Sequence, residues 1–199
     1  MAGKREAQRQ ALKDRLFEAA RARIEQQGLG NLRARDLTTD AGCALGGLYS
    51  AYEDMDDLVL QVNAATLRSL GASLEEAATS DAEPAERLVG LGLNYLDFAR
   101  SHMNLWSAIF DHRMQNGREI PSWYNEEQKV LFAHIGKSLL ALQPDMAMED
   151  LSIRVRTLFA AVHGIVSIGL REKIIGLPQD KIASEVEAII RLLVRGAKD

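Results

Sequence analysis

Apolar residues recur at every third or fourth position along almost the whole chain, and this period constrains the fold more than any other feature. Leu12, Leu16, Ala20 and Ile24 stand at intervals of four, with Phe17 and Ala19 beside them. They form one stripe of an amphipathic helix over about 5–27, which Gly28 ends. The same reading places short helices at 34–41 and 45–51 around the turn Ala41-Gly42-Cys43. A longer helix runs from the cap candidate Asp54, with Asp57 three positions on, to about Thr79. Further helices are expected near 83–101, 103–115, 122–142, 148–174 and 179–195, set off by ATSDAEP, QNGREIP and LQPD. No run alternates apolar and polar residues long enough to argue a strand, and only four prolines interrupt 199 residues. The expected fold is all-α, with about nine helices.

Composition excludes several classes. At 47% apolar and 26% charged residues the chain reads as a soluble globular protein. No apolar run approaches the roughly 18 residues of a membrane span. MAGKREAQRQ is charged with no apolar segment after it, unlike a secretory leader. The lone Cys43 allows no internal disulfide. A cytoplasmic protein without a membrane partner is expected. His102, His112, His134 and His163 lie 10, 22 and 29 positions apart, which does not fit a helical metal pair. There is no HExxH, CxxC, phosphate-cradling glycine loop or nucleophile elbow. Neither an enzyme nor a metal or cofactor site is expected.

Charge is divided unevenly. Residues 1–35 carry nine Lys or Arg against four acids, whereas 36–67 carry six acids (Asp36, Asp40, Glu53, Asp54, Asp56, Asp57) and no Lys or Arg. A basic N-terminal segment reads either as a solvated helix face or as an arm that meets phosphate.

Residues 28–58, GLGNLRARDLTTDAGCALGGLYSAYEDMDDL, combine a short helix, a glycine-centred turn and a second short helix. That spacing lets two helices cross steeply, so that the second can lie in a major groove. With the preceding helix, the stretch from Leu12 to about Leu58 resembles the DNA-binding domain of the TetR/AcrR family of transcriptional regulators. The likeness rests on Gly28, Arg35-Asp36-Leu37, Ala41-Gly42, Gly46, Leu48, Tyr49 and Tyr52. YLDFARSHMNLWSAIF (95–110) and LFAAVHGIVSIGL (158–170) resemble the family's ligand domain named for Trp, His and Gly. His163 and Gly164 match, Phe159 stands where Trp is usual, and Met103 replaces a Pro. The resemblance implies a helix-turn-helix domain over 1–55 and a ligand-binding and dimerisation domain over 56–199. It implies a homodimer on roughly palindromic operator DNA, a repressor released by a small, mainly apolar effector.

The segment departs from the family where a DNA reader is usually polar. Where the family commonly has Ser, Lys, Gly and Thr, this chain has Ala44, Leu45, Gly46 and Gly47. Ala44 lacks a capping oxygen, a loss of about 1 kcal/mol, and each glycine weakens a helix by roughly 1 kcal/mol relative to Ala. The family's phosphate-binding Lys is replaced by Met55 among Asp54, Asp56 and Asp57, acids that would repel DNA if they faced it. Remaining contact candidates are Arg33 and Arg35, Tyr49, Ser50 and Tyr52 (whose ring also suits the domain core), the apolar Ala44 and Leu45, and the close-approach Gly46 and Gly47. Lys4, Arg5 and Arg9 are candidates for a minor-groove arm. A second reading stays open: a helical ligand- or protein-binding dimer whose DNA surface has decayed.

Aromatic and histidine side chains concentrate in the later part. Tyr95, His102, Trp106, Phe110, Trp123, His134, Phe159 and His163 are candidates to line an apolar ligand site with a few polar anchors, although Trp106 and Phe110, one turn apart, also read as ordinary core and His102 and His163 as structural histidines. Leu151, Val155, Val162 and Ile165 mark one face of the expected eighth helix, and Ile182, Val186, Ile189 and Leu193 mark one face of the ninth. By pattern such a pair is either core or half of a four-helix dimer seam. The resemblance implies the seam.

Overall fold

The computed structural model describes residues 2–79, 81–171 and 176–195. Among these residues there are nine α-helices and no strand: α1 Ala2–Gln27, α2 Ala34–Asp40, α3 Leu45–Ala51, α4 Met55–Thr79, α5 Pro84–Ser101, α6 Met103–Asp111, α7 Ser122–Leu142, α8 Met148–Arg171 and α9 Ile182–Arg195. Short 3₁₀ turns occupy Leu29–Asn31 and Gln115–Gly117.

Boundaries differ from the periodicity in places where local chemistry overrides it. Helix α1 starts at Ala2, so Lys4, Arg5 and Arg9 sit on helical turns, exposed, rather than on an extended arm. Ala, Arg, Gln and Glu dominate that stretch, and all are strong helix formers. Helix α6 stops at Asp111 because His112 is extended (φ −65°, ψ 132°). The expected end of the eighth helix at 174 lies outside the described residues.

The chain packs as two compact units. The first takes residues up to Arg68 together with His102–Glu127, and the second takes Ser69–Ser101 together with residues from 128 onward. The first unit closes around Leu16, Ala20 and Ile24 of α1, Leu37 of α2, Leu48 and Ala51 of α3, and Leu58 and Val62 of α4, with Leu105 and Ala108 of α6 in the same core. Polar bonds fix these helices. Arg15 Nε donates to the Ala41 carbonyl at the end of α2 (3.0 Å), Asn63 Nδ2 to Ala108 (3.0 Å) and Asn104 Nδ2 to Glu25 (2.8 Å). Arg23 grips both Asp40 oxygens, with Nη2–Oδ1 at 3.0 Å, and lies 3.5 Å from Asp36. That contact lowers the Asp40 carboxyl from its usual range, chiefly by hydrogen bonding to the guanidinium. Gly28, at φ 77°, takes a left-handed conformation that an L side chain rarely adopts.

In the second unit α9 packs on both α5 and α8. The crossings need bare backbone. A Cβ at Gly92 would stand 2.5 Å from Ile190 Cδ1, and one at Gly169 would stand 2.9 Å from Ile182 Cδ1. Arg191 ties α9 to α5 through Glu86 (Nη2–Oε2 2.9 Å) and bonds Glu187 on its own helix (2.8 Å). Among the described residues α8 is the one helix long and apolar enough, by length and composition, to cross a membrane, and only 28% of its most apolar stretch is buried within the chain.

Candidate DNA-reading surface and ligand cavity

Helices α2 and α3 are joined by a turn that sequence dictates at one residue. Gly42 adopts φ 64°, and the Cys43 N–H reaches back to the Thr38 carbonyl at 2.9 Å. Ala44 then enters α3 in an extended conformation (φ −72°, ψ 158°) without a side-chain cap. Seven residues with two glycines cannot hold a helix alone. Leu48 (0% exposed), Ala51 and Tyr52 pin α3 to the core from behind. Its outer face is left to Ala44, Leu45, Gly46, Tyr49 and Ser50, with Leu45 42% and Tyr49 53% exposed. Ser50 Oγ donates to the Gly46 carbonyl at 2.8 Å.

Two of the sequence candidates on α3 belong to the fold. Tyr52 is buried, its hydroxyl donates to the Lys13 carbonyl at 3.0 Å, and the Lys13 ammonium lies 5.5 Å from the ring centroid. Burial, with nearby Asp57 and Asp14, pushes its phenol up to about 12. It is a core residue and not part of the outer face, because the chain turns there from α3 toward α4. Gly47 is half-buried, and a Cβ on it would stand 3.3 Å from Cys43, so its bareness serves the turn. Gly46 faces open space. Arg33 and Arg35 are exposed, and Arg33 Nη1 donates to the carbonyls of Gly30 and Leu32, both at 2.9 Å, bracing the turn before α2.

The acidic run is held by a segment that sequence reading missed. Asp54 Oδ1 accepts the Asp57 N–H at 2.9 Å and Asp57 Oδ2 accepts the Glu53 N–H at 3.3 Å, a reciprocal cap on α4. Arg118 reaches Asp54 (2.8 Å), Glu53 (3.4 Å) and Asp56 (3.8 Å). Asp56, 5% exposed, accepts the Gln115 N–H at 2.8 Å and lies 3.6 Å from His112 Nε2. Burial lowers the His112 pKa, against the upward pull of Asp56 and Asp54. These partners lie about 60 positions away in sequence, and no local pattern announces them.

The aromatic candidates separate between the units. Tyr95, Phe159 and His163 come together in the second: Tyr95 Oη and His163 Nδ1 share a hydrogen bond of 2.8 Å, and the Phe159 ring stacks on His163 (centroids 5.6 Å, 18°). Tyr95 and Phe159 line an apolar cavity with Leu74, Leu91, Leu131, Val162 and Ile190. His102, Trp106, Phe110 and Trp123 belong to the first unit and do not line it. Trp106 is fully buried and packs edge-on against Phe110 (5.6 Å, 62°), an ordinary core pair one helical turn apart. His134 is half-buried on α7, outside that lining. The sequence reading overlooked Phe132, which meets Phe159 edge-on at 5.4 Å.

The seam candidates also divide. Leu151, Val155, Val162, Ile182 and Val186 are buried in their own chain, whereas Ile165, Ile189 and Leu193 are half-buried. The five are core residues, because the faces that pair α8 with its neighbours are the faces the periodicity marks. The outward large apolar residues of the two helices are Met148 (71%), Ile153 (56%), Ile168 (45%) and Leu192 (65%).

Comparison with known proteins gives the fold a family. No curated protein matches the sequence. Among solved structures the chain is similar to a protein of unknown function from Rhodococcus sp. RHA1 (22% identity, 93% of this chain and 94% of that one, TM-score 0.74). It is similar to RolR in complex with resorcinol (20%, 96% and 93%, TM-score 0.68). It also resembles the transcriptional regulator FadR from Bacillus subtilis in complex with stearoyl-CoA (16%, 92% and 97%, TM-score 0.69). Residues 88–193 match the family described as tetracyclin repressor-like, C-terminal domain. That match covers more than half of the chain, and with the all-helical fold it places the protein in the TetR/AcrR family of transcriptional regulators.

Proposed function

We propose that the protein is a homodimeric DNA-binding repressor whose two α2–α3 units read a roughly palindromic operator and whose second unit binds a small, mainly apolar effector. The observation that carries this reading is the outer face of α3. Every residue that holds the helix points inward, while Ala44, Leu45, Gly46, Tyr49 and Ser50 stay exposed. The acids at the start of α4 form its cap among themselves, and Glu53, Asp54 and Asp56 pair with Arg118, which supports retained binding. Leu45 and Ala44 suit a thymine methyl, Tyr49 and Ser50 offer hydroxyls, and Gly46 permits close backbone approach. Lys4, Arg5, Arg9 and Arg35 supply exposed positive charge for phosphate.

The outward stripe of α8 supports dimerisation. Ile153, Ala160, Ala161, Gly164 and Ile168 recur at helical spacing, exposed or half-buried, and Leu192 of α9 is exposed as well. Small residues in the middle of such a stripe let a second copy's backbone approach closely. An effector in the second unit shifts the population between two spacings of the reading helices. The relatives solved with resorcinol and with stearoyl-CoA support an effector in the helical bundle.

The deciding experiment is selection of randomised duplexes by the purified protein at low salt, with the dimer verified by sedimentation. A two-fold-symmetric site is expected. Its salt slope is shallow, falling by about 0.9 for each phosphate contact absent from the set. Failure to enrich any site, with a folded dimer and with cell extract added as a source of effector, favours the reading in which the helical dimer has lost its DNA surface.

A further inference from the structure

Two hollows of the second unit share one wall. The cavity beside Tyr95 and Phe159 has a volume of about 40 Å³, and no charged residue lines it. That is room for about three waters at ~10–15 Å³ each, far below the ~300–1,000 Å³ of formed ligand sites. The other hollow is an open groove of about 510 Å³ between α7 and α8, with Phe132, Leu140 and Val155 among its apolar lining. Exposed Lys137 and Arg156 stand at its rim with Lys129, and no carboxylate is among the lining residues. The two helices meet at Gly136, where a Cβ would stand 3.6 Å from Val155 Cγ2. Phe132 of the groove and Phe159 of the cavity are the edge-on pair at 5.4 Å, so an aromatic contact joins the lining of one hollow to that of the other.

An apolar cavity without a charged partner cannot take up an ion, since burying an unpaired charge is prohibitive. A groove with paired cations and an apolar floor suits the opposite end of a ligand, because Arg and Lys bind carboxylate in charge-assisted hydrogen bonds. We propose that the effector is an amphipathic carboxylate with one unbranched apolar chain: Lys137 and Arg156 hold its head at the α7–α8 groove while its tail lies along the apolar floor of the groove and, displacing the Phe132–Phe159 contact, puts its end into the cavity. This rests on the reading of the second unit as the effector-binding unit, and adds the chemical class of the effector and its route of entry.

The test titrates the full-length protein by calorimetry with sodium decanoate, 1-decanol and decyltrimethylammonium, each below its micellar concentration. Decanoate binds, decanol binds at least tenfold more weakly, and the ammonium compound does not bind. The double variant Lys137→Glu, Arg156→Glu loses at least tenfold in decanoate affinity and keeps its affinity for decanol. Both substitutions fall on exposed side chains, and circular dichroism checks the fold. Val162→Phe, which fills the cavity, abolishes binding of both compounds.

Equal affinity for decanol and decanoate, an unchanged decanoate affinity in the double variant, or no binding of any of the three overturns the proposal. Dissociation of the dimer in the double variant, seen by sedimentation, also overturns it, because the groove is then a contact between copies. Decanol binding that Val162→Phe abolishes, without decanoate binding, removes the carboxylate and leaves the effector unit standing. Decanoate binding that leaves DNA affinity unchanged sinks the regulatory reading and keeps the ligand class.

Discussion

Helices α3 and α9 are built on opposite plans. The first has seven residues, no side-chain cap and two glycines, and its shape comes from Leu48, Ala51 and Tyr52 packing behind it. The second has fourteen residues with Ile182, Val186, Ile190 and Val194 buried at a strict spacing of four, a Glu in its first turn, an Arg in its last, and a lateral tie from Arg191 to Glu86. A helix that is held from one side keeps its other side for contact, whereas a helix that satisfies its own geometry can pack on two neighbours at once. The contrast teaches that weak intrinsic propensity is compatible with a defined surface when tertiary packing supplies the order.

Removal of a core anchor from each helix breaks the comparison if it is wrong. Leu48→Ala destabilises the first unit by about 2–5 kcal/mol, and the amides of α3 lose hydrogen-exchange protection together. Val186→Ala costs about 2 kcal/mol by lost burial, with α9 amides still protected. Continued protection of α3 in Leu48→Ala means that the helix has a stability of its own, and the contrast fails.

A smaller effect comes from pH. The His112 pKa is lowered by burial, so the folded protein favours the neutral ring more than the unfolded chain does. Stability is therefore complete above the unfolded value near 6.5 and falls as pH drops through the lower folded value. The groups facing the ring are Asp56 and Asp54, with Arg118 on the same carboxylates. Urea midpoints between pH 7.5 and 5.5 show this fall in the wild type, and His112→Gln flattens it.

The smallest change sharpens the comparison. Gly46→Ala meets no neighbour and raises α3 propensity, adding up to about 1 kcal/mol of stability. If the protein reads DNA as proposed and the bare backbone at this position lies against phosphate, the variant melts higher and binds the selected DNA more weakly. Equal or tighter DNA binding assigns Gly46 no contact.

Much of this was legible from the apolar period, because burial on one face of a helix leaves its mark every three or four residues. Gly42 and Gly28 announced the turns, since positive φ selects glycine. What could not be read was the partner of each polar side chain. Asp56 meets Gln115, His112 and Arg118 across about 60 residues, and charge alone said only that these acids would repel DNA if they faced it. The aromatic residues of 95–163 looked like one set because composition carries no distance. The fold gives Trp106 to a core and Phe159 to a cavity wall. Tyr52 and the five buried seam candidates repeat the lesson, since the period marks a buried face without saying what it is buried against.

Leu105 and Ala108 complete the core that surrounds α3, and Asn104 and the Ala108 carbonyl bond to α1 and α4. The α1–α3 head is thus no detachable cassette. A chimera that transplants residues 1–55 alone carries a core with one wall missing, and engineers who exchange specificities between relatives must move the 102–127 segment with the head or rebuild its two apolar plugs in the host.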